Sequence, residues 1–149
     1  MDRDDLLQPV LAGDERGPAG YKPWRVTSQV YVAFFGGALA LGAIAFLNAA
    51  MLEMSYRARV AIVGLALAAE GALVAVAAVT DIDQLRLVST VAGLAAYGGA
   101  YLIQRSADRV YHFHADDDEP YQSLFGHGLV AVISARVFET MLLHGVRGG

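Results

Sequence analysis

The sequence predicts an all-α, polytopic membrane protein built as a four-helix transmembrane bundle. Of the 149 residues, 56% are apolar and only 17% charged. Mean hydropathy is +0.43, and the apolar residues gather in four continuous runs of spanning length. A soluble domain carries about 25% charged residues and shorter apolar stretches. Helices are expected over strands because lipid offers the backbone no hydrogen-bond partners, and the alternative, a closed barrel, needs many alternating strands of about ten residues. Four unbroken runs are too few for that.

The first run, Ser28 to Ala50, has no ionisable side chain. As a straight helix it would span roughly 34 Å, enough for a hydrocarbon core of about 30 Å. Its length, and the polar arm of residues 1–27 before it, argue against a cleavable signal peptide. That arm, with Pro9, Pro18 and Pro23, is too poor in large apolar residues to fold alone. It ends in Tyr21-Lys22-Pro23-Trp24-Arg25, aromatic and basic residues that anchor a chain at the headgroup level.

The second run, Val60 to Thr80, holds one charge, Glu70; the third, Leu87 to Gln104, holds none. The fourth, Tyr121 to Val146, includes His127, Arg136, Glu139 and His144. It is expected to span with its polar groups turned into the bundle, a partly interfacial helix being the alternative. A short tail, 147–149, follows. The brief connections 51–59 and 81–86 make neighbouring helices antiparallel. Four crossings would put both termini on one side, with Arg3, Arg16, Lys22, Arg25, Arg86 and Arg147 facing Arg57, Arg59, Arg105 and Arg109. That balance favours cytoplasmic termini. The alanine, glycine and arginine usage points to a bacterial inner membrane.

Small residues recur at helical spacing in three runs: Ala38, Gly42, Ala45 and Ala49; Gly64, Ala68, Gly71 and Ala75; Ser89, Gly93, Ala96 and Ala100. Such stripes let membrane helices approach closely. Gly42, Gly64, Gly71 and Gly93 are therefore expected packing positions, within the chain or against a partner. Gly36-Gly37 and Gly98-Gly99 could mark broken helices of the kind that line transport sites. Without an adjacent proline, tight helix contact is the expected explanation.

Net charge is −4, so no basic field exists to hold nucleic acid. The absence of cysteine removes thiol nucleophiles, disulfides and iron–sulfur ligation. No phosphate loop, nucleophile elbow or triad order is present, and no catalytic residue is named. The residues out of place are charges. Glu70 at mid-helix would cost about 2.5–3.5 kcal/mol if it faced lipid; it must be protonated, paired or in a wet cavity, and Arg136 is the natural partner. On a helical wheel with Arg136 at zero, Glu139 falls at about −60°, Thr140 at about 40° and His144 at about 80°, with His127 at about 180°. Arg136 and Glu139 can thus pair within their own helix.

His112 and His114, alternating as in an extended strand, are followed by Asp116 and Asp118, residue types that bind zinc, manganese or iron. The spacing fits no standard site, and an acidic loop leading into a helix is the plainer account. No other cofactor is expected. The function expected is a non-enzymatic membrane module, an accessory or scaffolding subunit in a homo-oligomer or larger complex. The alternative is a small homo-oligomeric channel or proton-coupled carrier using Glu70.

Overall fold

The computed structural model describes residues 22–78, 82–114 and 121–147. These form four helices, α1 Gln29–Met51, α2 Tyr56–Ala77, α3 Ile82–His114 and α4 Phe125–Arg147, with a 3-10 turn Val26–Ser28 leading into α1. All four are long and apolar enough to cross a membrane, and the predicted all-α membrane bundle stands. The arm before Lys22 and the acidic stretch 115–120 lie outside the described residues.

Helix ends depart from the apolar runs where local chemistry permits. α2 starts at Tyr56 because Ser55 caps it, its hydroxyl accepting from the Ala58 N–H, the usual N-terminal solution for an orphan donor. α3 runs on to His114, so the chain expected as a loop after Gln104 is helical for ten more residues.

The first helix is not a straight span. Gly37 sits at φ 72° and ψ −163°, a backbone conformation essentially restricted to glycine. Gln104 Oε1 accepts from both Gln29 Nε2, at 3.3 Å, and Asn48 Nδ2, at 2.9 Å. The Trp24 N–H donates to Asn48 Oδ1 at 2.7 Å. In a straight helix Gln29 and Asn48 would stand about 28 Å apart. α1 is therefore a hairpin of two arms, residues 29–36 and 38–51, that enters and leaves the bundle at the same end. Its mouth lies at Gln104. Its tip, Gly37, lies roughly 16 Å deeper by the rise of the second arm, about half a hydrocarbon core.

The hairpin changes the path of the whole chain. From the mouth, α2 runs to the far end and α3 returns. α4 starts at the mouth, where Tyr31 Oη donates to the Leu124 carbonyl at 2.7 Å, passes the tip at Arg136 and continues away. The described chain thus begins at the mouth and α4 ends at the opposite end. The expectation of termini on one side presupposed four straight spans, and α1 is not one.

The hairpin is also the best-buried element. Ala33, Ala38, Leu41, Ala45 and Ala49 pack against Ile62 of α2 and Ala96 and Ala100 of α3, while Val32, Ala40 and Ile44 pack with Trp24 and Leu124 on the α4 side. Large apolar side chains such as Leu67, Leu87, Leu102 and Ile133 stay exposed on the outer faces of α2, α3 and α4.

The small-residue stripes divide accordingly. Ser89, Gly93, Ala96 and Ala100 face inward, and a Cβ on Gly93 would collide with the Ala33 carbonyl and the Gly37 backbone. Gly42 abuts Ala66 in the same way. The α2 stripe Gly64, Ala68, Gly71 and Ala75 faces outward, and a Cβ at Gly64 or Gly71 would meet nothing within 4 Å. Those two glycines do not pack within this chain, because α2 buries its other face, Ile62, Ala66, Glu70, Leu73 and Ala77. Gly98-Gly99 leaves α3 unbroken; Gly99 lies against Leu65, and Gly98 is open.

Candidate functional site

The turn at Gly37 strands the last carbonyls of the first arm, which have no helical partners. One of them, Phe35 O, accepts from Arg136 Nε at 2.6 Å, and a guanidinium at a helix C-terminus is favoured by the macrodipole as well. Arg136 Nη1 donates to Ser89 Oγ of α3 at 3.0 Å and to Glu139 Oε2 at 2.7 Å. Glu139 Oε2 lies 3.9 Å from where a Cβ on Gly37 would stand, beside the start of the second arm, the end that favours negative charge. One ion pair on α4 thus sits under the hairpin tip and ties it to α3.

Glu70 reaches the same interior from α2. Its side chain is 8% exposed, and Oε1 is buried with no hydrogen-bond partner among the described residues. The charged groups whose fields reach it are Glu139 and Arg136. The expected Glu70–Arg136 bond is not formed: Arg136 is engaged by its helical neighbour Glu139, one turn away, and by the hairpin carbonyl. With all three ionised, two carboxylates face one guanidinium and the cluster carries one negative charge in excess. Below the tip, Thr140 Oγ1 donates to the Arg136 carbonyl at 2.8 Å and His144 Nδ1 lies 2.9 Å from the Thr140 carbonyl. The rest of the α4 polar stripe is satisfied within its own helix.

At the mouth a second polar group has formed, and it is neutral. Besides the bonds that close the hairpin, Gln104 Nε2 donates to the Ala45 carbonyl at 3.3 Å. Trp24 is 1% exposed and packs on His127, with ring centroids 5.2 Å apart, so His127 serves as an aromatic neighbour on the side of α4 away from Arg136. Trp24 Nε1 and Gln29 Oε1 are buried without partners among the described residues.

Outside the mouth, Tyr121 Oη donates to the Asp108 carbonyl at 3.2 Å, and the Arg25 guanidinium lies 5.7 Å from the Tyr121 ring centroid. Burial first, and the charge of Asp108 second, push the Tyr121 hydroxyl up to about 12. His112 stacks on the same ring, centroids 5.9 Å apart. His112 and His114 belong to the last turn of α3 rather than to an extended strand, and residues two apart on a helix point about 200° apart. The strand-like alternation that paired them is therefore lost, and His114 Nδ1 lies 2.8 Å from the Val110 carbonyl instead. Asp116 and Asp118 lie outside the described residues. Among the described residues no three His, Asp or Glu side chains group to hold a metal ion.

The structure thus brings together Glu70, Arg136 and Glu139, and adds Ser89, the Phe35 carbonyl and the Gly37 turn. Ser89 stood in the sequence only as a small residue of a packing stripe. Gln29, Asn48 and Gln104 carried a signal that passed unused: they are amides at the ends of apolar runs, where an unpaired amide is costly. Comparison of the chain with protein-family models, curated proteins and solved structures finds no match.

Proposed function

We propose that the protein is a small membrane carrier or channel, working as a homo-oligomer, whose pathway passes the hairpin tip and uses Glu70. The observation that carries this is the helix broken at Gly37, whose tip ends on a charged cluster with two buried carboxylates. Non-helical backbone at membrane depth is tolerated where it is buried in protein or lines a wet cavity, and such broken helices mark binding sites in transporters. Ionisable residues at this depth are functional candidates by default.

The basic residues support an orientation. With the hairpin path, the described Lys22, Arg25, Arg57, Arg59, Arg105 and Arg109 fall on the mouth side, and Arg86 and Arg147 on the far side. Six against two favours a cytoplasmic mouth, in what the composition suits best, a bacterial inner membrane. Lys22 would then be cytoplasmic and the end of α4 external. The test of function is flux. Liposomes holding the purified protein and a pH dye should dissipate an imposed proton gradient faster than empty ones, and Glu70→Gln should return the rate to the empty level. Equal conduction by wild type and Glu70→Gln overturns the proposal.

A second reading, an accessory or scaffolding subunit, draws on the outward stripe Gly64, Ala68, Gly71 and Ala75, a close-approach face left unused by the chain itself. Native mass spectrometry from the protein's own membrane separates the two. Other subunits at fixed ratio favour the accessory role, and a homo-oligomer alone favours the carrier.

A further inference from the structure

We infer that Glu70 is a proton-binding site, occupied as the neutral acid while the hairpin tip is closed, with Arg136 and Glu139 beside it as a fixed pair that neutralises itself. The inference deepens the carrier reading by naming the ligand, and it rests on that reading only for the use to which the proton is put.

The first ground is charge. Glu139 and Arg136 satisfy one another at 2.7 Å, which leaves Glu70 as the excess. An isolated carboxylate in a low-dielectric interior is far costlier than the neutral acid, and such a group discharges itself. The charged groups facing Glu70 are both on α4, namely Arg136 and Glu139. The described part of α3 contributes the uncharged Ser89 to the cluster, and α1 carries no acidic or basic side chain.

The second ground is ligand count. An alkali cation would require several oxygens around Glu70, and two oxygens at the tip, Ser89 Oγ and the Phe35 carbonyl, already accept from Arg136. Glu70 Oε1 is the one fully buried side-chain oxygen of the cluster without a partner among the described residues. One free oxygen suits a proton and cannot complete the shell of a metal ion. The step is plain: a hydronium ion gives its proton to Oε1, leaving water and a neutral carboxylic acid, and release returns the proton to water.

Infrared difference spectroscopy of the protein in lipid tests this directly. A carboxylic-acid C=O stretch is expected near neutral pH. It should shift in deuterium oxide, vanish in Glu70→Gln, persist in Glu139→Gln, and be indifferent to exchanging sodium for choline. Glu70→Gln keeps the shape of the neutral acid. Should that variant fail to fold, Glu70→Asp is expected to retain the band at a displaced frequency. No acid band from Glu70, its assignment to Glu139, or its loss on adding sodium overturns the inference. The band present without proton flux would remove the carrier reading and leave the proton site. Flux without the band would do the reverse.

Discussion

Two polar groups hold the α1 hairpin, one at its mouth and one at its tip. At the mouth, Gln29, Asn48 and Gln104 form a neutral knot in which a single amide oxygen takes two donors. At the tip, Arg136 bonds a carbonyl, a hydroxyl and a carboxylate from three different elements, while a second carboxylate stays unpaired. Neutral amides left short of a partner cost about 1–3 kcal/mol each and lose little if one bond goes. A buried charge has no such latitude, because removing its partner leaves it stranded. The mouth therefore fixes where the chain re-enters, and the tip is where a change of charge can have a large effect.

The largest expected effect follows from that asymmetry. Arg136→Met should destabilise by about 3 kcal/mol, the low end of the range for breaking one side of a buried pair, since Arg136 is 31% exposed while Glu139 and the Phe35 carbonyl would both lose their donor. Trp24, the single tryptophan and fully buried at the mouth, gives the fluorescence signal for chemical unfolding in detergent. Arg136→Met combined with Glu139→Gln should recover a substantial part of the loss. If Arg136→Met alone unfolds like the wild type, the tip is solvated and the contrast with the mouth fails.

Next in size is the turn itself. Gly37→Ala places a side chain at φ 72° and ψ −163° and presses it toward Ser89 Oγ, 3.2 Å from the new Cβ. A loss of about 1–3 kcal/mol is expected from the backbone conformation. Gly71→Ala is the control: a Cβ there meets nothing, so unfolding of the monomer should hardly change. An effect confined to oligomer mass in Gly71→Ala would instead mark the outward α2 stripe as an interface.

What was legible in the sequence divides along the same line. The four helices could be read because twenty apolar residues declare themselves by length alone, and Glu70, Arg136 and Glu139 stood out because a charge in lipid is conspicuous. All three were brought to one place. The fold-back could not be read, since a run of this length has the same hydropathy as one straight span or as two arms of a hairpin, and Gly36-Gly37 fits tight packing as well as a turn. Gly36 in fact does pack tightly, against Ala40 and Val132, while Gly37 turns. Nor could the partner of Arg136 be chosen. A wheel gives the neighbour on the same helix, but only the tertiary fold shows that the hairpin carbonyl competes with Glu70 for the guanidinium.

At the mouth, a smaller effect is expected from Gln29→Met. Gln29 contributes one donor at 3.3 Å to an oxygen that Asn48 also serves, and its own Oε1 has no partner among the described residues. Losing one such bond should change stability by no more than about 1.5 kcal/mol, in either direction, by the same unfolding measurement. A loss as large as that of Arg136→Met would show that the knot is strongly cooperative and that the two ends of the hairpin are equally intolerant.

The smallest effect concerns pH at the mouth. The knot has no titratable member, but just outside it stands Tyr121, held above its ordinary value of 10.0, at about 12, by burial and by Asp108. An acid whose folded value is raised holds its proton longer in the folded protein than in the unfolded one. Between those two values the unfolded chain binds fewer protons, so stability falls as pH rises from about 10 toward 12 and is unaffected below. Tyr121→Phe should remove this alkaline slope while leaving stability at neutral pH within a hydrogen bond's worth, about 0.5–1.5 kcal/mol. In the ultraviolet titration of tyrosinate, the hydroxyl lost on going from wild type to Tyr121→Phe should be one that ionises late. If Tyr121 ionises near 10, its contact with Asp108 of α3 is open to water and the mouth is looser than the amide knot alone implies.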